Sequence, residues 1–200
     1  MRKNQKAEIR KSEILENYYQ VIIKEGLEGA SIGKIAKRTN IHPSLIIHYF
    51  KTKEEMTVEL VDLLIEKYEA PELLDFSHIS DLKDRFQALM DTLFSLEWSR
   101  TVDTGVHFGF YYLSFRKPAI RKRFREMFER FRDYLVYELE VYQEAGIIKV
   151  KDVKMAADFI VTLMEGLEFH THFLSDGQPF EVFADASREI AVKLLMSSTV

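Results

Sequence analysis

The sequence predicts an all-α protein: an N-terminal three-helix helix-turn-helix domain followed by a helical C-terminal domain, about nine helices in total. Three observations predict it. Apolar residues recur at spacings of three and four almost throughout, the mark of helices with one buried face. The chain has only 8 Gly and 4 Pro, and these fall between the periodic segments. The two stretches with strand-like composition, Val21–Ile23 and Gly146–Val150, have no partner of matching pattern to pair with.

In chain order, the first amphipathic helix is expected from about Glu8 to Glu25. It carries Ile9, Ile14, Tyr18, Val21 and Ile22 on one face and ends at Gly26. Two short helices follow, about Ile32–Arg38 and Pro43–Tyr49. Thr52 caps a longer one with Glu55 three residues on, the spacing of a capping box. That helix stops at Pro71, because the residue before a proline avoids helical dihedrals. Leu73–Ser80 is then the expected joint between a domain of residues 1–70 and one of residues 71–200. Ser80 is expected to cap a helix to about Leu96, followed by one over about Arg100–Phe115. Pro118 suits the first turn of a long helix that ends before Gly146. On it Phe124, Phe128, Phe131, Leu135 and Leu139 keep helical spacing. Asp152 caps a helix to about Leu174, and Pro179 opens the last, to about Met196.

Composition narrows the function classes. With no cysteine, disulfides and thiolate metal sites are excluded, which fits a reducing cytoplasm. No apolar run approaches the roughly 20 residues of a membrane span, and the N-terminal MRKNQKAEIRK lacks the apolar core of a signal peptide. A mean hydropathy of −0.17 with 30% charged residues suits a globular, cytoplasmic protein. The net charge of −4 conceals an uneven distribution. Residues 1–53 hold 11 basic and 5 acidic side chains, against 17 and 27 in residues 54–200. A basic head on an acidic body suits a polyanion-binding module joined to a domain that does not bind one.

The stretch Ser31–Lys53 carries the chemistry. Ser31 is a good N-cap, Ala36 lets two short helices cross closely, and Asn40 tolerates the left-handed φ of a tight turn. Ile35, Ile41, Ile46 and Phe50 supply an apolar wedge beneath the pair. This is the layout of a helix-turn-helix, whose second helix enters the major groove. Leu45, Ile46 and Ile47 lie about 100° apart on a helix, so they cannot all point into one core. Ile46, spaced i, i+4 with Phe50, is the one expected inside. Its neighbours are then left for thymine methyl contacts or, for Ile47, for packing under the first helix.

Over Glu25–Leu60 the sequence resembles the tetracycline-repressor (TetR) family of transcriptional regulators. Gly26, Ser31-x-x-x-Ile35-Ala36 and the run His48-Tyr49-Phe50-Lys51-Thr52-Lys53-Glu54-Glu55 carry the likeness. The resemblance implies that Ser31 and Gly33 lie against DNA backbone. It puts His42, Pro43, Ser44 and Leu45 at the base-reading tip, and Ile47, His48, Tyr49 and Lys53 along the groove wall and phosphates. Two residues depart from the pattern: Ile47 stands where the family usually has tyrosine, and Leu45 where many relatives are polar. Arg2, Lys3 and Lys6 precede the first helix and suit either an arm that follows phosphates or a solvated tail.

The resemblance further implies a ligand-binding and dimerisation role for the C-terminal domain, with a small-molecule effector held between its helices. Aromatic and sulfur side chains there, Phe86, Met90, Phe94, Trp98, Phe108, Phe131 and Tyr134, suit either a core or such a site. Thr104, His107, Tyr111, Glu165 and His170 are candidate polar anchors. Met155–Leu174 and Phe180–Met196 are apolar on more than one face, including Phe159, Leu163, Leu167, Phe173, Ile190, Leu194 and Leu195. These last two helices are expected to pair across a two-fold axis in a homodimer. No cofactor, metal site or catalytic constellation is expected, since His170 and His172 fall on different helical faces. The expected function is a repressor that a small, largely apolar effector releases from double-stranded operator DNA. The alternative is a TetR-like DNA-binding protein without an effector, acting in architecture or division control. An all-helical enzyme would leave the basic head unexplained.

Overall fold

In a computed structural model the structure describes residues 2–69 and 71–197. Its helices are α1 (Arg2–Gly29), α2 (Ile32–Thr39), α3 (Pro43–Phe50), α4 (Lys53–Tyr68), α5 (Pro71–Leu74), α6 (Leu82–Leu93), α7 (Leu96–Ser99), α8 (Thr104–Ser114), α9 (Pro118–Glu144), α10 (Val153–Phe173) and α11 (Phe180–Met196). No strand occurs among the described residues. The short α5 and α7 are the two elements beyond the expected set.

Most boundaries follow from local chemistry. Ser31 accepts from the Lys34 amide at the start of α2, Thr52 from the Glu55 amide at α4, and Asp152 from the Met155 amide at α10. Gly26 leaves helical geometry at φ +73°, as a stop should, but helical structure resumes as far as Gly29. Other expectations need correction. Helix α1 already begins at Arg2, so Lys6 lies in a helix rather than in an arm. Ile9 is exposed, whereas Ile14, Leu15, Tyr18, Val21 and Ile22 are buried. Asp81, not Ser80, caps α6, because its carboxylate takes both the Lys83 and Asp84 amides. Those two bonds hold the carboxyl below the usual aspartate range. Helix α6 ends at Leu93, and Ser95 caps the separate turn α7. Asp103 caps α8 through the Val106 amide, so that helix starts at Thr104 rather than near Arg100.

The chain divides into two compact units, Met1–Lys67 with Val102–Arg125, and Tyr68–Thr101 with Glu126–Val200. The first holds α1, α2, α3, α8, nearly all of α4 and the first turns of α9. The expected boundary near residue 70 placed α8 with the C-terminal half; by packing, α8 lies against α1. The Asp103 amide donates to Tyr19 Oη at 2.7 Å, and a Cβ on Gly109 would come within 2.8 Å of Leu27. Tyr18, buried in α1, donates to Thr57 Oγ1 at 3.0 Å. Thr57 in turn donates to the Lys53 carbonyl, which ties α1 to the first turn of α4. Burial raises the Tyr18 phenol above its ordinary pKa, more than the Thr57 bond lowers it, so it stays a donor.

The second unit has one apolar core. Phe86, Leu89, Met90 and Leu93 of α6 meet Leu135, Leu139 and Tyr142 of α9, Ile160 and Leu167 of α10, and Ala191 and Leu195 of α11. Within it Glu138, 2% exposed, receives the Arg85 guanidinium through both carboxylate oxygens. Tyr142 Oη donates to the same carboxylate at 2.8 Å. Burial, then the Glu138 carboxylate, push the Tyr142 hydroxyl far up, so it remains a protonated donor at any physiological pH. The carboxylate is thus fully paired, as a buried charge must be.

Two stability outcomes follow from these features. Glu138→Ala should cost about 3 kcal/mol, because it leaves Arg85 unpaired in a largely buried setting; urea unfolding measures it. Asn40, with φ 54° and exposed, should accept glycine with little loss, while Asn40→Val should cost about 1–2 kcal/mol. Equal unfolding midpoints for the two Asn40 variants would show that the left-handed turn imposes no constraint.

Candidate nucleic-acid interface

Helices α2 and α3 are held at a fixed angle by one residue. Asn40 takes φ 54°, ψ 46°, and its amide caps α2 at the Ala36 and Lys37 carbonyls. The Ile41 amide returns to the Ala36 carbonyl at 3.0 Å. Beneath the turn Ile35, Ala36, Ile46 and Phe50 are buried, while Ile41 is half-buried. Thr39 is satisfied within its own helix by the Ile35 carbonyl at 2.8 Å.

The start of α3 carries a feature that the spacing of apolar residues does not announce. His42 is itself the N-cap: Nδ1 accepts from the Ser44 amide at 3.3 Å and lies 2.7 Å from Ser44 Oγ. An amide can only donate, so Nδ1 is unprotonated and the proton of the neutral ring sits on Nε2. The Ser44 hydroxyl then donates to Nδ1 and keeps its oxygen lone pairs as acceptors. One donor, Nε2–H, and one acceptor, Ser44 Oγ, stand together at the exposed tip, next to Pro43 at the first helical position. The cue in the sequence was the His-Pro-Ser order, in which a histidine replaces the usual Ser, Thr, Asp or Asn cap.

Along α3 the burial pattern resolves the aliphatic run. Ile46 is 1% exposed, Leu45 is half-buried and Ile47 is 50% exposed, so Ile47 does not pack under α1. His48 is exposed and Tyr49 half-buried, with their rings edge to face at 5.6 Å. Ser31 and Gly33 lie exposed at the start of α2. Lys51 adopts φ 52°, an unexpected left-handed residue that closes α3 through its amide and the Ile47 carbonyl. Only two residues separate α3 from α4, and that sharp reversal is the physical reason for it. Lys53 Nζ donates to the Leu27 carbonyl at 3.2 Å, which anchors its ammonium beside the end of α1 while two N–H groups remain.

The candidate effector residues fall in both units. Thr104, His107, Phe108 and Tyr111 lie on α8 in the first. There His107 stacks with Tyr111 at 6.2 Å, and both rings meet Phe124. The other eight belong to the second. Phe86, Met90 and Phe94 are packed into its core, and Trp98 stacks on Phe131 at 5.4 Å. Tyr134 Oη donates to the Leu74 carbonyl at 2.9 Å. Glu165 is half-buried, and His170 faces the Phe183 ring at 4.3 Å. Among the described residues no helix is long and apolar enough to cross a membrane.

Comparison with known proteins gives this geometry its context. A family model described as "Bacterial regulatory proteins, tetR family" matches residues 14–60, and one described as "Tetracyclin repressor-like, C-terminal domain" matches residues 81–197. The HTH-type transcriptional regulator PksA of Bacillus subtilis (strain 168) is 26% identical over 167 residues, 82% of this chain and 78% of that protein. A TetR transcription regulator from Haloarcula marismortui ATCC 43049 superposes with a TM-score of 0.81 at 19% identity, covering 94% of this chain and 97% of its own. A transcriptional regulator from Saccharomonospora viridis, solved in complex with choline, superposes at 0.80 with 17% identity over 92% of this chain and 95% of its own. Matched over the helix-turn-helix and over most of the remaining helices, the chain belongs to the TetR family of DNA-binding transcriptional regulators.

Proposed function

We propose that this regulator is a cytoplasmic, homodimeric repressor whose residues 1–70 read operator DNA and whose residues 71–200 dimerise and take up a small, largely apolar effector. The observation that carries the first part is the tip of α3. His42 Nε2–H suits an acceptor such as guanine N7 or O6, and Ser44 Oγ suits an exocyclic amine. Exposed Ile47 supplies a methyl-sized apolar contact for thymine. Lys53, anchored at the end of α1, suits a phosphate, which sets register without reading sequence.

Dimerisation through α10 and α11 rests on an exposed seam. Met155, Phe159, Thr162, Gly166, Phe169 and Phe173 follow one another at spacings of four and three along α10, and all are exposed. Val182, Ile190 and Met196 are exposed on α11. A seam of that period pairs helices at a shallow angle, and Gly166 in its middle permits close approach. Leu167 and Leu195, expected at the interface, lie instead in the core of the second unit. In the same unit His170 Nδ1 is buried without a hydrogen-bond partner among the described residues, beside the Phe183 ring. That combination suits an apolar effector carrying one polar group.

The operator is to be recovered by selecting fragments of the source genome on the immobilised protein. On it, Ser44→Ala should cost about 1–3 kcal/mol, with little change on scrambled duplex. Lys53→Ala should weaken both duplexes alike and lower the salt slope by about 0.9 for the phosphate it no longer neutralises. Equal losses on both duplexes for Ser44→Ala would move the reading face elsewhere. Phe159→Asp with Ile190→Asp should give folded monomers in sedimentation and greatly reduced operator affinity, since a lone head grips only half of the operator. A dimer that survives both changes would place the interface on other helices.

A further inference from the structure

Between Thr104 and Arg125 every charged side chain is basic: Arg116, Lys117, Arg121, Lys122, Arg123 and Arg125. They surround the corner where α8 gives way to α9, in the same compact unit as the helix-turn-helix. We infer that this corner is a second DNA-contacting surface, which grips the phosphate backbone beside the segment that α3 reads.

Two of the six side chains fix where the corner lies. Lys117 Nζ is 2.9 Å from Glu54 Oε1, and Arg123 Nε is 2.8 Å from Asp62 Oδ1. The start of α9 therefore runs beside α4 from that helix's first turn onward. The corner stands at the N-terminus of α4, one residue from Lys53. Pairing Glu54 also offsets a carboxylate that would repel phosphate there. Arg121 braces the turn by donating to the Ser114 and Phe115 carbonyls at 3.0 and 3.1 Å.

The remaining three, Arg116, Lys122 and Arg125, are exposed. Arg116 lays its guanidinium over the Tyr112 ring at 5.5 Å, a geometry that leaves its N–H fork free for an oxyanion. Tyr112 itself is 57% exposed, and its hydroxyl is a further phosphate donor.

Charge complementarity selects the occupant. The first unit carries 18 basic and 11 acidic side chains, the second 10 and 21. The positive field is concentrated on the unit that holds the recognition helix, and the corner supplies six of those 18 bases. A polyanion engaged by α3 is thus the partner of matching sign, already at hand.

The test uses the full-length protein and a labelled random-sequence duplex of about three helical turns, titrated by anisotropy at several salt concentrations. Replacing Arg116, Lys122 and Arg125 together with Gln should lower the slope of log affinity against log salt by about 0.9 for each phosphate left without its cation. Replacing Lys149, Lys151 and Lys154 with Gln removes the same charge from exposed positions of the second unit and should leave the slope unchanged. Arg116→Lys with Arg125→Lys should keep the wild-type slope. A triple corner variant with the wild-type slope, or one matched by the control, overturns the inference and leaves the corner to an acidic protein partner. Failure of Ser44→Ala to discriminate operator from scrambled duplex would instead strike the reading face and leave this result standing.

Discussion

The first unit is organised around α1, and the placement of α2, α3 and α4 depends on how that helix is held. Its buried face, with Ile14, Tyr18, Val21 and Ile22, supplies the apolar attachment. A series of polar contacts then fixes the register. Tyr18 reaches the first turn of α4 through Thr57, Lys53 reaches the Leu27 carbonyl, and Glu25 pairs with Lys34 of α2 at 2.9 Å. Tyr19 takes the amide that opens α8. Apolar burial alone would let such helices slide by a turn. Hydrogen bonds with one allowed geometry remove that freedom, and they position Ser31, α3 and Lys53 relative to one another.

In the second unit the equivalent constraint is a charge that cannot be left unpaired. Glu138 is the least exposed ionisable carboxylate among the described residues, and Arg85 and Tyr142 surround it. Arg85 comes from α6 and both other groups from α9, so the network fixes the pairing of those two helices. A core of Leu, Phe and Ile would tolerate several such pairings. The paired charge selects one, at the expense of desolvating both ions.

The two units differ in what they leave exposed. The first presents polar donors and bases, the His42–Ser44 pair, His48, Lys51 and the α8–α9 corner, with scattered apolar side chains such as Ile9, Ile47 and Phe115 among them. The second presents apolar side chains on α10 and α11, among them Phe159, Phe169 and Ile190. An exposed apolar seam suits a surface that a like surface will cover, whereas a basic one suits a ligand that arrives with its own counterions.

The sequence by itself determined whatever is decided within one helical turn. Ser31, Thr52 and Asp152 act as caps because their acceptors reach amides two or three residues on. Asn40 turns left-handed because its side chain tolerates that φ, and Pro118 opens α9 because it lacks an amide to satisfy. The helix-turn-helix was legible for the same reason, since its turn, wedge and caps lie within about 25 consecutive residues. Tertiary structure alone decided what depends on distant partners. Ile9 and Ile14 look alike in sequence, but only Ile14 meets α1's neighbours. Leu167 and Phe169 are both apolar on α10, yet one enters the core and the other faces out. The spacing of apolar residues gives no sign that His42 caps α3; its bond to the Ser44 amide shows that it does. Helix α8 carries no local sign that it packs with α1, because the near contact of Gly109 with Leu27 joins residues some eighty positions apart. Burial and charge pairing are properties of the assembled chain, so no window of sequence contains them.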